Sequence, residues 1–112
     1  MIYYLNIGTA VKGEQNALSV SEVLNTLVWA NLEVISYEVK QSDTEETVVA
    51  VVKYNGDILG DMLWSVSCAL RQDCVAVYCP KRQEGNLTGP NAVEWGEFNS
   101  RYFIFPSLET QE

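Results

Sequence analysis

Residues Asp57 to Cys79 read DILGDMLWSVSCALRQDCVAVYC and predict a helix that leads directly into a buried strand. Apolar side chains recur at helical spacing in the first part, at Ile58, Met62, Val66, Ala69 and Leu70. After a polar turn, Cys74 to Cys79 is apolar at nearly every position, which is typical of a strand covered on both faces. Such a strand requires further layers from the rest of the chain.

The beginning of an earlier helix carries a clear local signal. Ser19 is a favoured N-cap residue, and Glu22 follows three positions later, where its side chain reaches back to the backbone of the cap. Apolar residues then recur every three or four positions as far as Val28. We predict a helix that begins near Val20 and stops before Asn31, a residue type that tolerates the left-handed conformation of a helix end.

Three other segments have the composition of strands. Ile2 to Ala10 and Thr47 to Tyr54 carry large or apolar side chains on both faces, whereas Leu32 to Gln41 alternates between apolar and polar residues, as an edge strand does. The predicted order is strand, helix, strand, strand, helix, strand. This is the order of a ferredoxin-like βαββαβ sandwich, so we predict an α+β fold with an antiparallel sheet and two helices on one face.

The last third of the chain extends this core. The aromatic run from Arg101 to Phe105 has high strand propensity and stops at a proline, so we predict an extra C-terminal strand there. The sequence contains no linker and no internal repeat. We therefore predict a single α+β domain of residues 1–106, followed by a flexible C-terminal tail of residues 107–112.

Composition and charge limit the classes of partner. The 112 residues include 15 Asp and Glu against 7 Lys and Arg, which gives a net charge of −8. A protein of this charge repels nucleic-acid phosphates and anionic membranes, so we expect no direct nucleic acid binding and no membrane binding, and we favour a basic protein partner. No apolar run reaches the length of a membrane span, and the start of the sequence lacks the pattern of a signal peptide. We therefore expect a cytoplasmic protein.

Few residues offer catalytic chemistry. The sequence contains no histidine, which excludes an imidazole base and histidine-ligated metals, and its three cysteines lack the spacing of a zinc site. We predict no metal and no cofactor. Two alternatives stay open: a carboxylate active site formed by Asp57, Asp61 and Asp73, and a reactive thiol at Cys79, which is followed by cations. Each of these residues also has an ordinary role in a cap, a turn or the core.

The most unusual local composition lies near the C-terminus. Five aromatic residues occur close together there: Trp95, Phe98, Tyr102, Phe103 and Phe105. Aromatic residues are enriched in the cores of protein interfaces, and the alternative is that this group covers the open face of the sheet. We predict that part of the group binds a protein partner, with two acids as a charged rim. The predicted partner-binding residues are Glu94, Trp95, Glu97, Phe98 and Tyr102.

These observations lead to three hypotheses for function. The first, which the charge favours, is a non-catalytic protein-binding, inhibitor or regulatory protein that works as a homodimer or in a heteromeric complex. The second is a small-molecule-sensing domain of ferredoxin-like architecture. The third is a small carboxylate-dependent enzyme. The size of the chain is also typical of proteins encoded by phages and other mobile elements, which is an association rather than a physical inference.

Overall fold

The computed structural model describes residues 1–11, 18–41, 45–55 and 60–107. Within them the chain forms a five-stranded antiparallel sheet and three helices. In chain order the elements are β1 (Ile2–Val11), α1 (Val20–Trp29), β2 (Glu33–Gln41), β3 (Glu45–Lys53), α2 (Gly60–Ala69), β4 (Val75–Cys79), β5 (Glu84–Thr88) and α3 (Ala92–Trp95). The predicted α+β class and antiparallel sheet are therefore confirmed.

The sheet has the strand order β2-β3-β1-β4-β5. β1 lies in the middle, where it pairs with β3 over most of its length and with β4 from Tyr4 to Asn6. The strands β2 and β5 form the two edges. The apolar pattern of β1 and β3 follows from their position, because their side chains are buried on both faces of the sheet.

The sheet divides the hydrophobic core into two parts. The larger part lies under α1 and α2, which pack on the same face of the sheet. Its helical members include Val23, Leu27, Leu63 and Val66, and its strand members include Leu5, Ile7, Val48, Ala50 and Val75. The smaller part lies on the opposite face, which we call the open face. Its buried members are Ile2, Tyr4, Val51 and Phe103.

A strict ferredoxin-like fold is not confirmed. That fold has four strands, whereas here β5 pairs with β4 and extends the sheet by one strand. This pairing explains the composition of β4. Its residues are all buried or half-buried because β4 is an inner strand, with β1 on one side and β5 on the other.

The fifth strand comes from a different segment than predicted. Glu84–Thr88 forms it, in a hairpin with β4 whose turn places Gln83 at a φ of 55°, while Arg101 to Phe105 forms no strand. The prediction was wrong because strand propensity does not reveal which segment finds a partner. Glu84–Thr88 follows β4 at once and pairs with its edge, whereas the backbone of Ile104 is bound by the side chain of Asn6.

The predicted signals at the helix ends are confirmed. The backbone N–H of Glu22 donates to Ser19 Oγ at 3.1 Å, and the N–H of Ser19 donates to the Glu22 carboxylate at 3.2 Å, so a capping box begins α1. Asn31 has a φ of 67° just after that helix. For α2, the described residues begin at Gly60, and the predicted first turn at Asp57 and Ile58 lies outside them.

Candidate functional site

The C-terminal segment, defined as residues 96–107, crosses the open face of the sheet. Phe103 is only 7% exposed, and it belongs to the same buried cluster as Ile2, Tyr4 and Val51. Phe98 and Phe105 pack against this cluster and are half-buried. Three of the five grouped aromatic residues therefore cover the sheet, which was the alternative to a role in partner binding.

An aromatic cluster holds the segment in place. Tyr78 of β4 stands at its centre, with its ring centroid 5.0 Å from that of Phe105, 5.9 Å from Phe103 and 6.1 Å from Phe98. Tyr4 of β1 stacks on the same tyrosine at 6.2 Å. Aromatic pairs at these separations stabilise beyond the area that they bury, so the cluster fixes the path of the segment.

Glycine at position 85 is required by this cluster. Gly85 lies opposite Tyr78 in the β4–β5 ladder, and the ring of Phe98 lies directly over it. A Cβ atom at position 85 would stand 2.2 Å from Phe98 Cε1. The absence of a side chain on Gly85 therefore makes room for the ring of Phe98.

Two polar contacts anchor the segment further along. The side-chain amide of Asn6 donates to the Ile104 carbonyl at 2.9 Å and accepts from the Ile104 N–H at 2.7 Å. At the edge of the sheet, the Ser107 N–H donates to the Glu38 carboxylate at 3.1 Å, and Lys40 Nζ donates to Ser107 Oγ at 2.7 Å. Ser107, the first residue of the predicted flexible tail, thus bonds to β2, while residues 108–112 lie outside the described part.

The contact with Ser107 affects the ionisation of Glu38. The pKa of Glu38 lies below its ordinary value of 4.5, chiefly because the Ser107 N–H donates to the carboxylate. The Ser107 hydroxyl and the Lys40 ammonium, whose nitrogen lies 3.4 Å from Glu38 Oε2, act in the same direction. Ionised Glu38 therefore favours the docked position of the segment.

The short helix α3 precedes this segment and is tied to the turn before β4. The Asn91 N–H donates to the Asp73 carbonyl at 2.9 Å, and Asn91 Nδ2 donates to Asp73 Oδ1 at 3.1 Å. Gly89 approaches the same turn so closely that a Cβ atom there would stand 2.5 Å from the Asp73 carbonyl oxygen. These contacts set the position of Trp95 at the end of the helix.

The predicted partner-binding residues occupy two kinds of environment. Trp95 is 65% exposed and Tyr102 is 83% exposed, and Glu94 and Glu97 are exposed as well. Phe98 is half-buried in the aromatic cluster, so its main contacts are internal. We call Glu94, Trp95, Glu97 and Tyr102 the acidic aromatic surface.

Two overlapping clefts lie beside this surface, and both include residues of the open face. The first, which we call the aromatic cleft, has a volume of about 380 Å³. Its floor is formed by Asn6, Cys74, Ala76 and Leu87, and its walls by Trp95, Phe98, Tyr102 and Phe103, with Glu97 and Asn99 also in its lining. The second, the wide cleft, has a volume of about 630 Å³ and reaches Gly8 and the turn at Arg71, Gln72 and Asp73.

The clefts arise from a change of side-chain size along two strands. On the open face, β1 presents Tyr4, then Asn6, then Gly8, and β4 presents Tyr78, then Ala76 in the same direction. The large residues lie under the C-terminal segment, and the small ones leave space beyond it. The decrease in side-chain size can be read from the sequence. That it forms a cleft follows only from the β1–β4 register and from the segment that covers the two tyrosines.

The open alternatives for catalysis receive no geometric support in the described residues. Asp57 lies outside them, the side chain of Asp61 is not described, and Asp73 helps to hold α3. Within the described ranges, no three His, Cys, Asp or Glu side chains are grouped so as to hold a metal ion. Cys79 is 5% exposed and its thiol donates to Met1 Sδ at 3.6 Å, so it lies in the core.

Cys74 is the cysteine nearest to the clefts, and it lines both of them. Burial raises the pKa of its thiol, and the charge of the adjacent Asp73 acts in the same direction. The thiol is therefore less ionised at neutral pH than an ordinary cysteine, which is the opposite of an activated nucleophile.

No family model matches this chain, and neither the curated proteins nor the solved structures contain a match. No described helix is long and apolar enough to cross a membrane.

A second exposed surface was not singled out from the sequence. Ile35, Tyr37 and Val39 on the edge strand β2 are between 40% and 49% exposed. Tyr37 and Val39 lie opposite Ala50 and Val48 of β3, so they face the helical side of the sheet. The sequence shows the alternation of this strand, but it does not show that the helices leave the apolar side uncovered.

Proposed function

We propose that this chain is a non-catalytic binding protein that docks a basic protein partner on the acidic aromatic surface. The observation that carries the proposal is the exposure of Trp95, at the end of α3, and of Tyr102, in the C-terminal segment, although hydrogen bonds anchor both elements. Tryptophan and tyrosine are the residue types most enriched at the energetic centres of protein interfaces.

The position of these two side chains favours binding over incomplete packing. Tyr102 directly precedes Phe103, which is buried, and Trp95 stands three residues before Phe98, which is packed on Tyr78. Residues 95–105 thus bury some aromatic rings and expose others. Because Asp73 binds α3 at Asn91 and Asn6 binds the C-terminal segment at Ile104, the two exposed rings project from a supported surface.

Charge supports a basic partner. The net charge of −8 attracts basic proteins at long range, and Glu94 and Glu97 lie on either side of Trp95 in the chain. Exposed charges around an apolar centre mainly raise the association rate and select the partner, whereas the aromatic residues supply most of the affinity.

A selection from a library of random displayed peptides tests this proposal. We expect the selected peptides to carry Lys or Arg, and the Trp95→Ala/Tyr102→Ala variant to bind them at least about tenfold more weakly. Trp29→Ala is the matched control, because Trp29 is 81% exposed on α1, away from this surface. Peptides that bind the double variant as tightly as the wild type would show that the partner docks elsewhere.

Homodimer formation is a second proposal, favoured by β2. Its exposed Ile35, Tyr37 and Val39 lie on an edge strand, which among the described residues pairs with β3 alone. A second copy that pairs its own β2 with this edge would extend the sheet and place its apolar side chains beside these. Light scattering is expected to give the mass of a dimer for the wild type and of a monomer for Tyr37→Lys. A wild-type monomer would contradict this proposal and leave the docking proposal intact.

A ferredoxin-like core is a further proposal, supported by the pairing of β1 with both β3 and β4 and by the two helices on one face. In that description, β5 is an addition at the β4 edge. This architecture is compatible with the second hypothesis, in which the chain is a small-molecule-sensing domain. A metabolite that raises the melting temperature of the wild type, but not of a variant with a filled cleft, would favour sensing over protein docking.

A further inference from the structure

We propose that the aromatic cleft receives an arginine side chain of the basic partner. This inference rests on the proposed docking function and adds the group that the partner inserts. The cleft adjoins the acidic aromatic surface, since Trp95, Glu97 and Tyr102 belong to both. A partner held on that surface would therefore lie over the mouth of the cleft.

The lining matches both parts of an arginine side chain. The floor contains Ala76 and Leu87, which can contact the methylene groups of its stem. The walls contain Trp95 and Tyr102, whose ring faces attract a cation. Its volume of about 380 Å³ lies within the range of ordinary ligand pockets and accommodates one long side chain.

The charge of the cleft selects a cation. Among the described residues, Glu97 is the one charged side chain in its lining, and it gives this part of the cleft a negative charge. Arg71 lines only the wide cleft, at the end beside Gln72 and Asp73. The aromatic cleft therefore offers a carboxylate to a cation, and Arg71 is not in its lining.

Arginine fits better than lysine for two physical reasons. The guanidinium group is planar and stacks on aromatic rings, and it is more weakly hydrated than an ammonium group, so it enters an apolar cleft at lower cost. Its fork of N–H donors can also bond both carboxylate oxygens of Glu97 at once, which the single nitrogen of an ammonium group does less well.

Nuclear magnetic resonance titration of the wild-type chain with blocked single residues tests the cleft directly. The probes are the N-acetyl N-methylamides of arginine, lysine and citrulline, the last being an uncharged analogue of arginine. We expect the arginine probe to cause saturable shifts at the amides of Asn6, Ala76 and Leu87, and the citrulline probe to bind at least about tenfold more weakly. Equal binding of arginine and citrulline, or shifts confined to other residues, would overturn the proposal.

Two variants test the cleft, and the first separates it from the surface around it. Ala76→Leu fills the floor shared by both clefts and leaves the acidic aromatic surface unchanged. Glu97→Gln removes the carboxylate that the cleft shares with that surface, and its fold is preserved because the side chain is exposed. Both are expected to weaken binding of the arginine probe about tenfold. If displayed peptides lose affinity for the Trp95→Ala/Tyr102→Ala variant but not for Ala76→Leu and Glu97→Gln, docking stands and the arginine pocket is wrong. If neither set of changes affects peptide binding, both proposals are wrong.

Discussion

Asn6 binds Ile104 as a neighbouring strand would. Its side-chain amide lies 2.9 Å from the Ile104 carbonyl oxygen and 2.7 Å from the Ile104 nitrogen, and it donates to the first and accepts from the second. An asparagine side chain offers the same donor and acceptor as a peptide group. One residue of β1 thus replaces a strand ladder as the polar anchor of the C-terminal segment.

Replacing Asn6 by Ala is expected to destabilise the protein by about 1–3 kcal/mol, because the N–H and carbonyl of Ile104 lose their partner in a half-buried position. Urea unfolding measures the change. Asn86→Ala on the exposed side of β5 is the control, and it is expected to have a smaller effect. Equal stability of Asn6→Ala and the wild type would show that the contact with Ile104 does not hold the segment.

Gly85→Ala is expected to destabilise the protein by about 1–3 kcal/mol, since the added methyl group occupies the position of the Phe98 ring. A double-mutant cycle identifies the cause. In a Phe98→Ala background the same change at position 85 is expected to have little effect, because the ring is gone. A loss of stability of the same size in both backgrounds would instead indicate a backbone effect at Gly85.

The interaction between Glu38 and Ser107 is expected to depend on pH. The folded pKa of Glu38 lies below its ordinary value of 4.5, so its contribution to stability is complete above that pH and is lost as the pH falls through the folded pKa. The wild type is therefore expected to be more stable than Glu38→Gln at pH 7, and the difference is expected to vanish in acid. Denaturant unfolding at a series of pH values measures it. A difference that is independent of pH would rule out the carboxylate as its source.

Deletion of residues 96–112 is expected to cause aggregation, because it uncovers Tyr4, Val51 and Tyr78 on the open face. Deletion of residues 108–112 alone is the control, and it retains Phe103, Ile104 and Ser107. Size-exclusion chromatography and thermal melting compare the two. If the longer deletion left a monomer with an unchanged melting temperature, the segment would be dispensable for the fold.

Local features of this fold were predictable from the sequence, because they depend on neighbouring residues. Ser19 and Glu22 form a capping box because they lie three positions apart, and this contact does not depend on the rest of the chain. Asn31 ends a helix because asparagine tolerates the left-handed backbone conformation. The two-sided apolar pattern of β3 likewise indicated an inner strand, and β3 lies between β2 and β1.

Long-range pairing was not predictable in the same way. Glu84–Thr88 contains Gly85 and Asn86, which are poor strand formers, yet it is a strand because it follows β4 by one short turn. Residues 101–105 have far better propensity and are not a strand. The clefts escaped prediction for the same reason, since they depend on which strands place Asn6 beside Ala76.

The contact between Asn6 and Ile104 joins residues that are 98 positions apart. During synthesis, a ribosome therefore releases β1 long before the aromatic rings that cover its open face have been made. Until then Phe103 and Phe105 do not cover Tyr4 and Tyr78. The nascent chain therefore exposes aromatic surface that favours chaperone binding or premature association. The time between the synthesis of β4 and that of residues 103–105 therefore sets how long that exposure lasts.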